Sequence, residues 1–287
     1  MGAVRTRFAP SPTGYLHLGH AYSAFQASDF ARNHGGAFLL RIEDIDPGRR
    51  RAAFETAIYE DLAWLGLDWE RPVRRQSEHV AAHRASLDRL QAMGVLYRCF
   101  KTRPEILADI VRAPHGVSAY PGPSAPLSRD EEAARLDKGE PFAWRISLSA
   151  AQARLGPAWT ELGYREIGEA PGWTPARLEL TGDAVIARKD AGLSYHLACC
   201  HDDAQQGITH VVRGVDLVAS TGLHVLLQAL LDWPTPVYRH HKLILGPDGK
   251  RLAKRDKAAT LRAMRAEGLT PEAVRARAEA APKSVNP

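Results

Sequence analysis

The sequence predicts an α/β fold: a doubly wound parallel sheet with an inserted smaller α/β subdomain and a short helical C-terminal segment. Three observations predict it. The chain opens strand, helix, strand, helix; the rhythm breaks between Phe100 and Leu178; and the buried-strand pattern returns from Asp183 to Asp216.

Val4 to Phe8 carries β-branched and aromatic residues, as a short strand does, and Ala9-Pro-Ser-Pro-Thr-Gly14 is turn material. A helix is expected from near His17 to about Asn33, where Gly35-Gly36 stops it. Ala37 to Ile42 is a continuous apolar run suited to a buried parallel strand. Arg51 to Leu65 places Phe54, Ile58, Leu62 and Leu65 three or four apart, on one helical face. From Phe100 to Leu178, Pro and Gly cluster around Ala113 to Pro126 and the elements shorten. This stretch reads as an inserted subdomain with a small core of Trp144, Ile146, Leu148 and Trp159. Asp183–Arg188 and Thr209–Arg213 read as strands, with His201, Asp202 and Asp203 at a polar strand end, a metal group being the alternative, and a helix runs through Leu223 to Leu231. Lys242 to Leu245 is strand-like, and Thr270-Pro-Glu-Ala-Val offers an N-cap with Pro at the first helical position.

Hydrophobic residues at 45% and charged residues at 25% are the balance of an ordinary soluble globular protein. No run approaches the roughly 18 apolar residues of a membrane span, so no membrane partner is expected. MGAVRTRFAP lacks a signal peptide's apolar stretch, which makes the cytoplasm the expected compartment. Three cysteines (Cys99, Cys199, Cys200) make no disulfide framework, and the last two sit in an apolar segment as core or near-core residues. From Arg239 onward there are twelve basic against five acidic residues, a local net of +7 beside about −2 for the preceding 238 residues. That asymmetry suggests either a polyanionic partner or a solvated helical face.

Two segments carry chemistry. His17 and His20 share one face at a helix start, where unpaired N–H groups and the dipole favour phosphate. Both can donate to a triphosphate under attack, and Gly19 lets a flat ring lie against the backbone. A metal pair, or capping and packing residues, are the alternatives. The second segment, Gly249 to Lys257, carries Lys250, Lys254 and Lys257 on a Gly-containing loop. It is either a mobile cationic clamp for a leaving pyrophosphate or a plain surface loop.

Together, RFAPSPTGYLHLGH and KRLAKR resemble the HIGH and KMSKS signatures of class I aminoacyl-tRNA synthetases. RFAPSPTGYLHLGHA and Leu40-Arg-Ile-Glu-Asp-Ile-Asp46 resemble the glutamyl-tRNA synthetase branch. The match covers roughly residues 4–95 and 180–260. The resemblance implies a Rossmann-like catalytic domain in two halves, residues 1–99 and 181–240, with the insert at 100–180 and the KMSKS-like loop and basic helical segment at 241–287. It implies ATP with Mg²⁺, and catalysis by His17, His20 and Lys254, with Gly19 also at the ATP. Glutamate is expected against Arg7, Ser11, Glu43, Tyr195 and Arg213; which arginine meets which carboxylate is left open.

Only 32 residues follow Arg255, where glutamyl-tRNA synthetases carry a large anticodon-binding region. That plan resembles a truncated paralogue which transfers glutamate to the queuosine base in the anticodon of tRNA(Asp). The expected partners are therefore L-glutamate, ATP and queuosine-bearing tRNA(Asp), with the chain acting as a monomer. A minimal glutamyl-tRNA synthetase charging the 3′ end and a non-catalytic RNA-binding paralogue are the rival expectations. Two departures stand out. The KMSKS serine is Ala253 and its first lysine Arg251, while Lys254 keeps the cation. Relatives hold zinc with Cys-x-Cys, Tyr and Cys; here Cys99 and Tyr120 remain, with Lys101 and Ser124 at the other positions, so no zinc is expected.

Overall fold

The structure, a computed structural model, describes residues 3–112, 119–123, 125–188, 192–246 and 260–284. In chain order the strands are β1 (Arg5–Phe8), β2 (Ala37–Ile42), β3 (Glu70–Arg75), β4 (Leu96–Cys99), β5 (Ala143–Ile146), β6 (Gly163–Glu166), β7 (Gly172–Pro175), β8 (Val185–Arg188), β9 (Gly192–Leu193), β10 (His210–Gly214) and β11 (Val237–His241). The helices are α1 (Leu18–Asn33), α2 (Ala52–Trp64), α3 (Val80–Ala92), α4 (Arg103–Arg112), α5 (Arg129–Asp137), α6 (Leu148–Leu155), α7 (Tyr195–Gln205), α8 (Val218–Leu230), α9 (Leu261–Ala266) and α10 (Pro271–Ala280).

Two parallel groups form the main layer: β1-β2-β3, and β10-β11-β6 with β7 added antiparallel at its edge. Thr209 joins them. Its N–H donates to the Arg5 carbonyl (3.1 Å) and its hydroxyl accepts the Arg5 N–H (2.8 Å), which sets β10 beside β1. β1, β2 and β10 are buried on both faces, as strands covered by helices on both sides are, whereas β3 and β7 stand at more exposed edges. Phe8, Leu40, Ile42 and Val212 face α1 and α10, whereas their neighbours Leu39 and Val211 pack with Tyr238 and with Val225 of α8. Strand alternation therefore decides where charge goes: Thr6 turns to α1, its hydroxyl donating to the Ala27 carbonyl (2.8 Å), and Arg7 and Arg41 turn to the other face, against α7.

The second sheet, β4-β5-β8-β9, is antiparallel. Its membership redistributes two expected pieces. β6 and β7, which lie within the expected insert, join the main layer through β11, while β8, expected with the later strands, pairs with β5. The insert also shares its core. Ile146 and Ile186 are buried with Leu197 and Cys200 of α7 and Leu223 and Leu227 of α8, and Trp144, Leu148 and Trp159 pack against the same cluster. Lys242 to Leu245 adds no ladder to β11; instead Ile244 forms an isolated bridge with Lys283. Thr270 caps α10 as expected, its hydroxyl accepting the Ala273 N–H (3.2 Å). No helix among the described residues is long and apolar enough to cross a membrane.

Candidate active site

At the start of α1, His17 is the N-cap residue. Its Nδ1 accepts the Gly19 N–H (3.1 Å), and the His17 N–H donates to His20 Nδ1 (3.2 Å), a reciprocal cap built from two imidazoles. The rings lie 3.9 Å apart. With Nδ1 accepting in both, each neutral ring carries its proton on Nε2, the donor form a phosphate needs. Gly19 is part of the device: a Cβ there would come within 3.1 Å of the His17 ring. Leu18 and Ala21 are buried and fix the helix end to the sheet. The chain returns to this spot at residue 260, where Thr260 bridges to His17 and the Leu261 N–H donates to the Leu16 carbonyl (2.8 Å). Lys254, with Arg251 and Ala253, lies outside the described residues; residue 260, where description resumes, stands beside the two histidines.

The histidines open onto a cavity of about 330 Å³, whose walls include Arg7, Glu43, Tyr195 and Arg213 together with His17, Gly19 and His20. Ser11 does not line it; that residue is exposed, and its carbonyl accepts the Thr13 N–H (2.8 Å). Beneath the cavity the charges are paired. Arg7 reaches Asp203 Oδ1 (3.0 Å), and Arg41, fully buried, donates to Asp203 Oδ1 (2.7 Å), Glu43 Oε1 (3.1 Å) and Gln206 Oε1 (3.1 Å). Burial is the largest influence on both guanidinium groups and works against their charge, but Asp203 and the other acidic groups around them together overcome it, so both stay protonated. Burial likewise opposes the Asp203 charge, and the two arginines overcome it, holding that carboxyl below its usual range. Glu43 differs: burial dominates and raises its carboxyl despite Arg41 and Arg7. Cys199, 3.5 Å from Arg41, is pushed up to about 12 by burial and is a neutral thiol.

Arg213 stands apart. It is buried, and every partner it has among the described residues is neutral: Thr221 Oγ1 (2.7 Å), His224 Nδ1 (3.1 Å), His240 Nε2 (3.2 Å) and the Leu217 carbonyl (3.3 Å). Burial lowers both His224 and His240, which keeps them uncharged beside it. One cation in the cavity wall thus keeps its charge available to an incoming anion.

A family model described as tRNA synthetases class I (E and Q), catalytic domain, matches residues 3–278. The chain belongs to that family. As a class I tRNA synthetase it is a ligase, and similar proteins agree. A glutamyl-Q tRNA(Asp) synthetase from Rhodobacter capsulatus is 47% identical, over 94% of this chain and 98% of its own length. One from Symbiobacterium thermophilum is 41% identical, over 93% and 83%. The glutamate-tRNA synthetase structure from Elizabethkingia anophelis superposes with a TM-score of 0.71 at 30% identity, covering 89% of this chain and 53% of that one. This synthetase chain therefore spans about half of that solved structure.

Several residues around the candidate site escaped the sequence reading. Arg41 lies in the quoted LRIED run, yet its contact with Asp203 spans 162 positions. His240, His224 and Glu166 come from three separate elements, and no spacing announces them. The reading of His201, Asp202 and Asp203 as a strand end is corrected: all three are buried in the helix α7. Asp203 serves the arginines above. His83, His201 and Asp202 lie close enough to share a cation. But Asp202 already accepts from Arg74 (2.7 Å), His83 (2.9 Å) and Gln76 (3.0 Å), so a guanidinium stands where a cation would. This cluster clamps β3 and α3 to α7.

The zinc donor set also fails chemically. Cys99 and Tyr120 are buried with Ile106, while Lys101 is paired with Asp109 (2.5 Å); Ser124 lies outside the described residues. One thiol and one phenol do not hold a tetrahedral zinc.

Proposed function

We propose that the chain activates L-glutamate with ATP and transfers the glutamyl group to the queuosine base in the anticodon of tRNA(Asp). A glutamate carboxylate oxygen attacks the α-phosphorus of ATP, pyrophosphate leaves, and a hydroxyl of the base then takes the acyl group as an ester, releasing AMP. The observation that carries the reading is Arg213: a buried guanidinium whose partners among the described residues are all neutral, in one cavity with Arg7, Glu43, Tyr195, His17 and His20. Arg213 takes a substrate carboxylate, because Arg7 is already offset by Asp203. Glu43 and Tyr195 meet the ammonium group. His17 and His20 donate Nε2–H to the phosphates as charge builds, Gly19 lets the adenine approach, and Lys254 follows the leaving pyrophosphate. Mg²⁺ arrives with ATP, and zinc has no part.

Glutamate-dependent exchange between ATP and pyrophosphate tests the first step; its absence, with and without tRNA, would refute the enzyme reading. Labelled glutamate offered to tRNA(Asp) from cells with and without queuosine tests the second, with label expected only on the modified RNA. Labelling of tRNA(Glu) would instead favour charging of the 3′ end, the reading to which the likeness to the Elizabethkingia glutamate-tRNA synthetase lends weight. About one zinc per chain by elemental analysis would overturn the zinc-free assignment.

A further inference from the structure

The geometry points to Glu166 and His240 as a positioning pair for Arg213, setting how tightly the cavity holds the amino acid. This rests on the reading that the cavity takes glutamate.

Glu166 ends β6 and His240 lies in β11, on neighbouring strands of the main layer. The Glu166 carboxylate is built in. Its Oε1 accepts backbone N–H groups from Ile167 (3.2 Å), Gly168 (2.7 Å) and His240 (3.1 Å), and its Oε2 lies 2.5 Å from His240 Nδ1. Gly168 permits the wrap, since a Cβ there would stand 2.5 Å from the His240 carbonyl and 2.7 Å from Glu166 Oε1. A carboxylate with three N–H donors already on it is an acceptor, so His240 must carry its proton on Nδ1. That leaves Nε2 as a lone pair, and Arg213 Nε donates to it at 3.2 Å. The His240 ring lies nearly parallel to Tyr238, at an interplanar angle of 7°, which holds its plane, and the Arg213 guanidinium sits 5.0 Å over the same Tyr238 ring.

Arg213 is thus gripped from one side by a tautomer that Glu166 dictates. Thr221, whose hydroxyl lies 3.3 Å from His240 Nε2, and His224 hold two further N–H groups, with His224 Nε2 in turn 3.1 Å from His196 Nδ1. An acidic residue placed directly on Arg213 would orient it equally well but would spend its charge. Acting through the imidazole, Glu166 orients without pairing.

The test is steady-state exchange kinetics with variants. His240→Leu removes the acceptor and should raise KM for glutamate by on the order of tenfold, with KM for ATP and kcat changed less than about threefold. His240→Gln places an amide oxygen near the position of Nε2 and should restore most of the loss. Glu166→Gln, which keeps the side-chain size, should raise KM for glutamate in the same direction. Failure of the wild-type chain to support glutamate-dependent exchange sinks the functional reading instead. With exchange intact, three results overturn the pair: an unchanged glutamate KM in folded His240→Leu, losses falling equally on ATP and glutamate, or no rescue by His240→Gln. If His240→Leu does not fold, an unchanged glutamate KM in Glu166→Gln overturns it alone.

Discussion

Two residues show what burial does to charge in this fold. Arg213 is a cation surrounded by neutral acceptors, and its planar fork makes directed bonds to three side chains at once. Arg213→Lys keeps the charge and loses that fork. It should raise KM for glutamate by roughly 10- to 100-fold, since hydrogen bonds to charged groups contribute ~1.5–3 kcal/mol each; an unchanged KM in the exchange assay would remove Arg213 from the pocket. Asp61, on α2, is the opposite case. It is 2% exposed, its Oδ2 has no hydrogen-bond partner, and burial pushes its carboxyl up to about 6, with Arg262 and Arg265 too weak to reverse this. In the unfolded chain that carboxyl ionises near pH 4. The folded state therefore binds more protons between about pH 4 and 6, and stability is lost as pH rises through that window. Asp61→Asn should remove the loss, making the variant more stable than the parent by roughly 2–3 kcal/mol at pH 8 and nearly equal to it at pH 4. Thermal melts of both proteins that run in parallel from pH 4 to 8 would contradict this.

At the scale of elements, the joint between α1 and β2 is tight. A Cβ on Gly36 would stand 2.2 Å from the Val4 carbonyl oxygen, and the Gly36 N–H donates to the Ala31 carbonyl (2.8 Å). Gly36→Ala must push β1 away from the helix end, so a stability loss of ~1–3 kcal/mol is expected, visible as a lower melting temperature. A melt unchanged from the parent would show that the joint yields freely. This opening unit was also the most legible in the sequence. Its strands are short runs bounded by turn residues, its helices are long enough to show a period, and His17 to Asn33 was recognisable from both ends. The later elements were not, because sheet membership depends on partners far away: β6 shows no local sign that it will pair with β11. α7 was misread for a related reason. It is buried on nearly every side, so its sequence lacks the polar face that marks a helix. In the candidate site, motif residues such as Arg7, His17, His20 and Glu43 could be named as candidates from the sequence, whereas Glu166, His224 and His240 make contacts that only the folded chain creates.

At the scale of the whole molecule, the described helices of the basic segment from Arg239 onward prove to be part of the body. Arg275 pairs with Asp29 of α1 (2.6 Å) and lies 3.9 Å over the Phe25 ring, and Arg262 stacks on Tyr15 (4.8 Å). Val274 and Ala278 are buried in the same core as α1, so the C-terminal helix docks beside the element that begins with His17. Some of the excess charge is therefore committed to the fold. Arg277, by contrast, is exposed on α10. A polyanion bound to this face would release counterions as arginines and lysines neutralise its phosphates, and each such contact adds roughly −0.7 to −0.9 to the slope of log affinity against log salt. Binding of tRNA(Asp), measured by filter retention between 50 and 300 mM salt, should thus weaken steeply and log-linearly. Arg277→Gln should make the slope shallower by about one and leave the melting temperature within a degree or two. Salt-insensitive binding, or an identical slope in the variant, would return Arg277 to the other reading of the charge asymmetry, a solvated helical face that touches no RNA.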